Sequence, residues 1–240
     1  MNIQSKTVLI TGASRGIGRA LVNEALRRGA KRVYAGTRGA LSADDPRVTP
    51  LTLDVTNASQ IEQAAREVNT LDVLINNAGI ALYDDLSNFD VLEQHLAVNL
   101  FGSLRTSRAF LPLLRRSKGA IVNTLSLLAL APLPLTPAYA ISKAAALNMT
   151  QSLRALLAGQ GVTVHGVFLG PTDTDMTRGF EIPKASPEAV ARGIFDGLEN
   201  QEEDIFPDPM SQSIAEGWRT GVAKAIERQY AGFVPKSVAL

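Results

Sequence analysis

The chain has no cysteine and only two histidines, His95 and His165. Without cysteine there can be no disulfides, thiolate nucleophiles or cysteine-based metal sites. Two histidines are too few for a histidine-rich metal centre and a poor basis for a Ser-His-Asp triad. His165, within Val162-Thr163-Val164-His165-Gly166-Val167, reads as a strand residue, and His95 as a helix residue. Neither sign of charge is in excess: 24 Lys and Arg stand against 23 Asp and Glu, for a net charge of +1. Nothing therefore draws the chain as a whole to nucleic acid or to an anionic membrane. No apolar run reaches the roughly 18 residues that a membrane-spanning helix needs. The start, Met1-Asn2-Ile3-Gln4-Ser5-Lys6, lacks the basic and apolar regions of a signal peptide. These absences lead to the expectation of a cytoplasmic protein with no membrane or nucleic-acid partner and no metal.

What is present is an alternation of two periodicities. With 240 residues, 45% of them hydrophobic, the chain is expected to form one domain over residues 1–240. Short β-branched apolar runs at 7–10, 32–36, 51–55, 71–76, 120–124 and 162–168 read as strands. Between them lie helical stretches at 17–28, 59–68, 89–114 and 137–159. Gly29 is read as the C-terminal cap of the first, and Pro112 falls near the end of the third. The linker Thr37 to Pro50, with Pro46, Pro50 and two aspartates, is too irregular for a full crossover helix. Further on, 183–200 reads as a helix, 204–206 as an edge strand and 209–229 as a terminal helix, with the last ten residues loose. Strand and helix in alternation predict an α/β fold: a doubly wound, Rossmann-type, mainly parallel sheet with helices on both faces. Ligands in such folds bind beyond the carboxyl ends of the strands, where the polar motifs of this chain fall.

The first of these motifs is Thr11-Gly12-Ala13-Ser14-Arg15-Gly16-Ile17-Gly18, between the first strand and the first helix. Gly12 allows a tight turn, Gly16 lets backbone approach a phosphate, and Gly18 lets helix and strand pack closely. The helix N-terminus offers amide N–H groups to a diphosphate. The second is Tyr139 with Lys143, four residues apart on one helix face, and Ser126 thirteen residues upstream. An ammonium beside a phenol favours the phenolate, so the Tyr139 pKa is expected below its usual value near 10. Such a tyrosine suits general acid–base catalysis near neutral pH.

With Asp54-Val55, Asn76-Asn77-Ala78-Gly79, Asn99 and Gly170 to Thr174 added, the chain resembles a compact, single-domain short-chain dehydrogenase/reductase. The resemblance is clear over about residues 6 to 175 and looser beyond. It implies an oxidoreductase that interconverts a carbonyl and an alcohol, with Tyr139 as general acid and base and Ser126 bonding the same oxygen. Lys143 would depress the tyrosine pKa and bind the nicotinamide ribose, and Asn99 would hold a water linking Lys143 to solvent. Asp54 and Val55 would contact adenine. Asn77, Ala78 and Gly79 would line the cleft, and Thr172 and Thr174, after Gly170, would reach the nicotinamide carboxamide. Leu169 stands where the family usually has proline, with Pro171 after the glycine.

An acidic residue at the end of the second strand would bind a ribose 2′-hydroxyl, but this chain has Thr37-Arg38 there. With Arg15 from the glycine turn, two guanidiniums would suit a 2′-phosphate, so NADP(H) is expected over NAD(H). The run Leu127 to Leu135 is almost wholly apolar and reads either as a pocket wall or as core packing. The stretch 175–184 would be a short substrate lid with Met176 and Phe180 as its apolar residues, over an open site. The resemblance also implies a homodimer or homotetramer. The competing reading is a cofactor-binding sensor or regulator without turnover. A sugar-nucleotide epimerase or dehydratase fits the glycine spacing and the short C-terminal part less well.

Overall fold

Alternation along each strand decides which face of the sheet a side chain joins. In β1 (Thr7–Thr11), Val8 and Ile10 pack on one side and Leu9 on the other. β4 (Val73–Asn76) and β5 (Ala120–Thr124) repeat this, with Val73, Ile75, Ala120 and Val122 opposite Leu74 and Ile121. All nine are buried, as a parallel sheet covered on both faces requires. The computed structural model describes residues 1–233. With β2 (Arg32–Thr37), β3 (Val48–Thr52), β6 (Thr163–Val167) and β7 (Asp204–Ile205), the strands form one parallel sheet in the order β3-β2-β1-β4-β5-β6-β7. The order reverses between β1 and β4, which opens a crevice beyond their carboxyl ends.

Helices α1 (Gly16–Arg27) and α6 (Pro187–Glu199) cover one face. On the other lie α2 (Ala58–Glu67), α4 (Ser103–Ser117) and α5 (Pro137–Leu157). A short α3 (Phe89–His95) runs into α4 through a π-helical segment, Leu96–Gly102. The chain then adds α7 (Pro209–Thr220) and α8 (Val222–Tyr230). Among the described residues no helix is long and apolar enough to cross a membrane.

The doubly wound fold is the one expected, but several boundaries differ. β3 lies at Val48–Thr52, not 51–55, because β2 ends at Thr37, the partner of Thr52. Beyond that pair only the Thr37 carbonyl continues the ladder, accepting from the Leu53 amide at 2.8 Å. Pro50 is tolerated because β3 is an edge strand. The connection 38–47 holds no helix. The long helix from Phe89 is interrupted by the π segment and runs on to Ser117. Helix 183–200 starts only at Pro187, since Ala185 bridges Thr172 and Ser186 caps the helix. The terminal helix is two helices, split where Gly221 takes an extended conformation (φ −74°, ψ 162°). Residues 231–233 form a 3-10 turn, and the rest of the tail expected to be loose lies outside the described residues.

Candidate active site

The glycine turn is held by the strand beside it. Gly12 has φ +66° and Gly16 φ +52°, a region that side chains disfavour. The Thr11 hydroxyl accepts from the amides of Asn77 and Ala78, both at 3.0 Å. Asn77 returns its side-chain amide to the carbonyls of Thr11 (3.0 Å) and Gly12 (3.3 Å). A Cβ on Gly12 would stand 2.9 Å from the Ala78 Cα, so β4 and the turn meet backbone to backbone. Arg15 occupies the N-cap of α1 without any side chain capping the helix. The turn therefore offers an uncovered first helical turn to an anionic group.

Ser126 follows β5, and Tyr139 and Lys143 lie on the first turns of α5. Ser126 is buried, and its Oγ accepts from the Leu128 amide at 3.1 Å; it is also the polar side chain that acts on the Tyr139 phenol. Lys143 is buried, with Nζ donating to the Thr124 carbonyl at 2.8 Å. A Cβ on Gly79 would lie 3.2 Å from Asn99 Oδ1 and 3.8 Å from Lys143 Nζ, so these three groups share one corner. Asn99 lies in the π segment, a local distortion often found at functional positions. Its Oδ1 accepts from the Ile80 amide at 2.9 Å, and its Nδ2 donates to the Ile80 carbonyl (3.0 Å) and to Ser142 (2.9 Å).

The electrostatics correct one expectation. Burial pushes the Tyr139 phenol up to about 12, with the Ser126 side chain acting weakly in the other direction. Lys143 does not lower it here: its Nζ faces the Thr124 carbonyl, 5.7 Å from the Tyr139 ring centre. Desolvation moves the lysine itself down to about 8. Tyr139 is thus a protonated phenol at neutral pH, and Lys143 a cation close to losing its proton.

The residues expected to face a cofactor divide into two groups. Burial disfavours ionisation of Asp54, but hydrogen bonds from Thr56 and the field of Arg38 prevail and hold its carboxyl below the ordinary range. Val55 is buried, and a Cβ on Gly102 would reach within 2.7 Å of it. Thr174 approaches the glycine turn, its Cγ2 lying 3.2 Å from where a Gly16 Cβ would be. The Thr172 and Thr174 hydroxyls, at 3.4 Å, turn back onto the carbonyls of Gly170 and Thr172. Nor does the structure pair Arg15 with Arg38. Arg15 reaches across to Asp175, in the segment after β6, at 2.7 Å, whereas Arg38 acts on Asp54. Ser14 is exposed and Ile17 packs against the α1-side core. Thr37 donates to the Gly39 carbonyl at 2.5 Å.

Several residues that hold the site carry no local sequence signal. Thr136, the N-cap of α5, makes no side-chain cap. Asp84 supplies it instead, accepting from the Ala138 amide at 3.2 Å from another loop. Asp208 can be read as the N-cap before Pro209, but it also accepts from the Gly170 amide at 2.8 Å, which fixes the loop after β6. His95 is buried beneath the loop after β4. Its Nε2 accepts from the Leu82 amide at 3.0 Å, so Nδ1 carries the proton and donates to the Val91 carbonyl at 2.7 Å. The imidazole meets the Tyr139 ring edge-on, 6.2 Å between centres. His95→Leu leaves the Leu82 amide without an acceptor and is expected to destabilise the fold by about 1–3 kcal/mol. His95→Gln, which keeps a donor and an acceptor, should recover at least half of that in thermal unfolding. Equal losses in both variants would mean that the hydrogen bonds of the ring do not matter.

A family model described as short chain dehydrogenase matches residues 6–184. Ketoacyl reductase HetN of Nostoc sp. is 31% identical over 236 residues, covering 88% of this chain and 82% of that protein. Estradiol 17-beta-dehydrogenase 2 of Mus musculus is 32% identical over 84% of this chain, which spans only 58% of that protein. A short chain dehydrogenase from Burkholderia cenocepacia J2315, solved in complex with NADP, shares 37% identity. It superposes with a TM-score of 0.87 over 98% of this chain and 100% of the other. The doubly wound sheet agrees with these matches, and the chain belongs to the short-chain dehydrogenase/reductase family of oxidoreductases.

Proposed function

We propose that this protein is an NADP(H)-dependent oxidoreductase that interconverts a small-molecule carbonyl and its alcohol, with Tyr139 as general acid and base. The convergence of Ser126, Tyr139 and Lys143 beyond β5 carries this reading. The glycine turn with its uncapped helix would hold the diphosphate, Asp54 and Val55 the adenine end, and Lys143 the nicotinamide ribose. Thr172 and Thr174 would bond the carboxamide after rotating off their own loop, with Asn77, Ala78 and Gly79 as the floor. When bound, the cofactor supplies or accepts the hydride.

In the reducing direction Ser126 orients the carbonyl oxygen and Tyr139 donates its proton to that oxygen. A phenol pushed up to about 12 is protonated and ready to donate. Lys143, whose Nζ rests on the Thr124 carbonyl 5.7 Å from the Tyr139 ring centre, would have to turn toward the phenolate once it forms to stabilise it and return a proton. Asn99, committed to Ile80 and Ser142 through its side chain, would support the water that resupplies Lys143.

The pH dependence follows from Lys143. Its ammonium is present below about 8 and lost above it. Reductive kcat/KM is therefore expected to be level through pH 7 and to fall, by at most about tenfold per unit, above pH 8. A level profile up to pH 10 would remove Lys143 from this role.

The lack of an acidic residue at the end of β2, the exposed Arg38 there, and the NADP complex of the Burkholderia protein support NADP(H) over NAD(H). A phosphate bound near Arg38 would have to draw Arg15 away from Asp175. We place the protein in the cytoplasm as a homodimer or homotetramer, on family resemblance. The test is optical: oxidation of NADPH and of NADH against aldehydes, ketones and quinones. Turnover with NADPH supports the reading. Tight cofactor binding with no turnover of any carbonyl or alcohol would favour the sensor.

A further inference from the structure

The parallel order β4-β5-β6 places the loops after β4 and β6 on either side of the end of β5, where Ser126 and Tyr139 lie. A contact between those two loops therefore joins the two sides of that position. One such contact exists: Tyr83, after β4, stacks on Phe180 of the lid, with ring centres 6.1 Å apart and planes inclined by 29°. Short as it is, the lid thus reaches the opposite rim. The loop under Tyr83 is fixed at three points, by Asn99 on Ile80, His95 on Leu82 and the Asp84 cap on α5. Tyr83 itself remains 67% exposed, an amphipathic ring with little protein around it.

Apolar side chains are exposed on the neighbouring segments, although Asp84, Asp85 and Glu181 flank the two rings in the chain. The segment between Ser126 and α5 leaves Leu130, Leu133 and Leu135 exposed, and the lid adds Met176. The two lid cations are engaged within the lid: Arg178 with Asp175, and Lys184 on the Thr177 carbonyl at 2.8 Å. No lid cation is left to hold an anionic tail. We infer that Tyr83 and Phe180 form an aromatic clamp over the substrate and select an uncharged carbonyl compound, or its alcohol, with a planar aromatic or conjugated body. This rests on the proposed carbonyl–alcohol activity and names its substrate class. Offset stacking on two rings favours a planar body over a saturated one of equal size by roughly tenfold.

The experiment compares acetophenone with cyclohexyl methyl ketone, which have the same carbon count and the same carbonyl. Their affinities are measured by calorimetry on the full chain with NADP+ present, and their kcat/KM with NADPH. Wild type is expected to bind acetophenone about five- to tenfold more tightly. Tyr83→Leu and Phe180→Leu, which keep apolar bulk, should each bring the ratio close to one, and the double variant should lose no more. An even ratio in wild type, a ratio unchanged in the leucine variants, or tighter binding of a carboxylated aryl ketone would overturn the clamp. If the preference and its loss appear in binding but neither ketone turns over, the clamp stands and the proposed activity falls. If both ketones turn over with equal kcat/KM and equal affinity, the clamp alone falls.

Discussion

Tyr139→Phe is expected to lower kcat by roughly 10²- to 10⁴-fold while leaving NADPH affinity within about threefold. The substitution removes one oxygen and keeps the ring, so the edge-on contact with His95 and the packing of α5 are retained. What disappears is the phenol oxygen beside Ser126 at the end of β5. Ser126 could still orient the carbonyl oxygen, which is why some rate should survive. Lys143 would be a poor substitute for the donor, because in the resting site its Nζ is held by the Thr124 carbonyl at 2.8 Å. Single-turnover kinetics separate the chemical step from product release. A kcat within threefold of wild type, with the variant folded, would show that the proton comes from elsewhere. The assignment of general acid would then have to move to another group.

How far the chain could be read without its structure depended on how local each signal was. The doubly wound sheet was legible because Val8, Leu9 and Ile10, and the matching trios of β4 and β5, are so uniformly apolar that only a strand covered on both faces explains them. The glycine turn was legible because its spacing expresses a backbone requirement, seen in the positive φ of Gly12 and Gly16. The end of β3 was not, since strand length there is set by where β2 stops, a property of the partner. The pKa of Tyr139 was misjudged for a similar reason. Spacing places Lys143 one turn away, but only the fold shows that burial dominates and that Thr124 takes the ammonium. His95 was rightly read as a helix residue, but what it, Asp84 and Asp208 hold was not legible, because their partners Leu82, Ala138 and Gly170 are contacts that no local motif encodes. Arg15 was placed beside Arg38 by motif, whereas in the structure the carboxylate of Asp175 competes for it.

Gly18→Ala is expected to be the most damaging single-carbon addition in the chain. A Cβ at Gly18 would stand 2.0 Å from the Gly12 carbonyl oxygen and 2.8 Å from Asn77 Nδ2. The first neighbour is backbone, so no rotamer change relieves the contact, and α1 must move away from the turn. Helix propensity pulls the other way, since alanine is better than glycine in a helix by about 1 kcal/mol. Overpacking against fixed backbone costs about 1–3 kcal/mol and sometimes more, so the clash wins. The displacement should also break the bonds from Asn77 to the Thr11 and Gly12 carbonyls, so the loss is expected to fall on the proposed phosphate cradle as well as on stability. NADPH affinity should drop by more than about tenfold, read by fluorescence titration below the lowered melting point. Gly217→Ala is the control. It lies inside α7 with nothing within 4 Å of its would-be Cβ, so only propensity acts and the melting temperature should rise. If Gly18→Ala melted no lower than wild type and bound NADPH normally, α1 would be free to shift without cost, and the close packing of helix on turn would not be what forms the cofactor site.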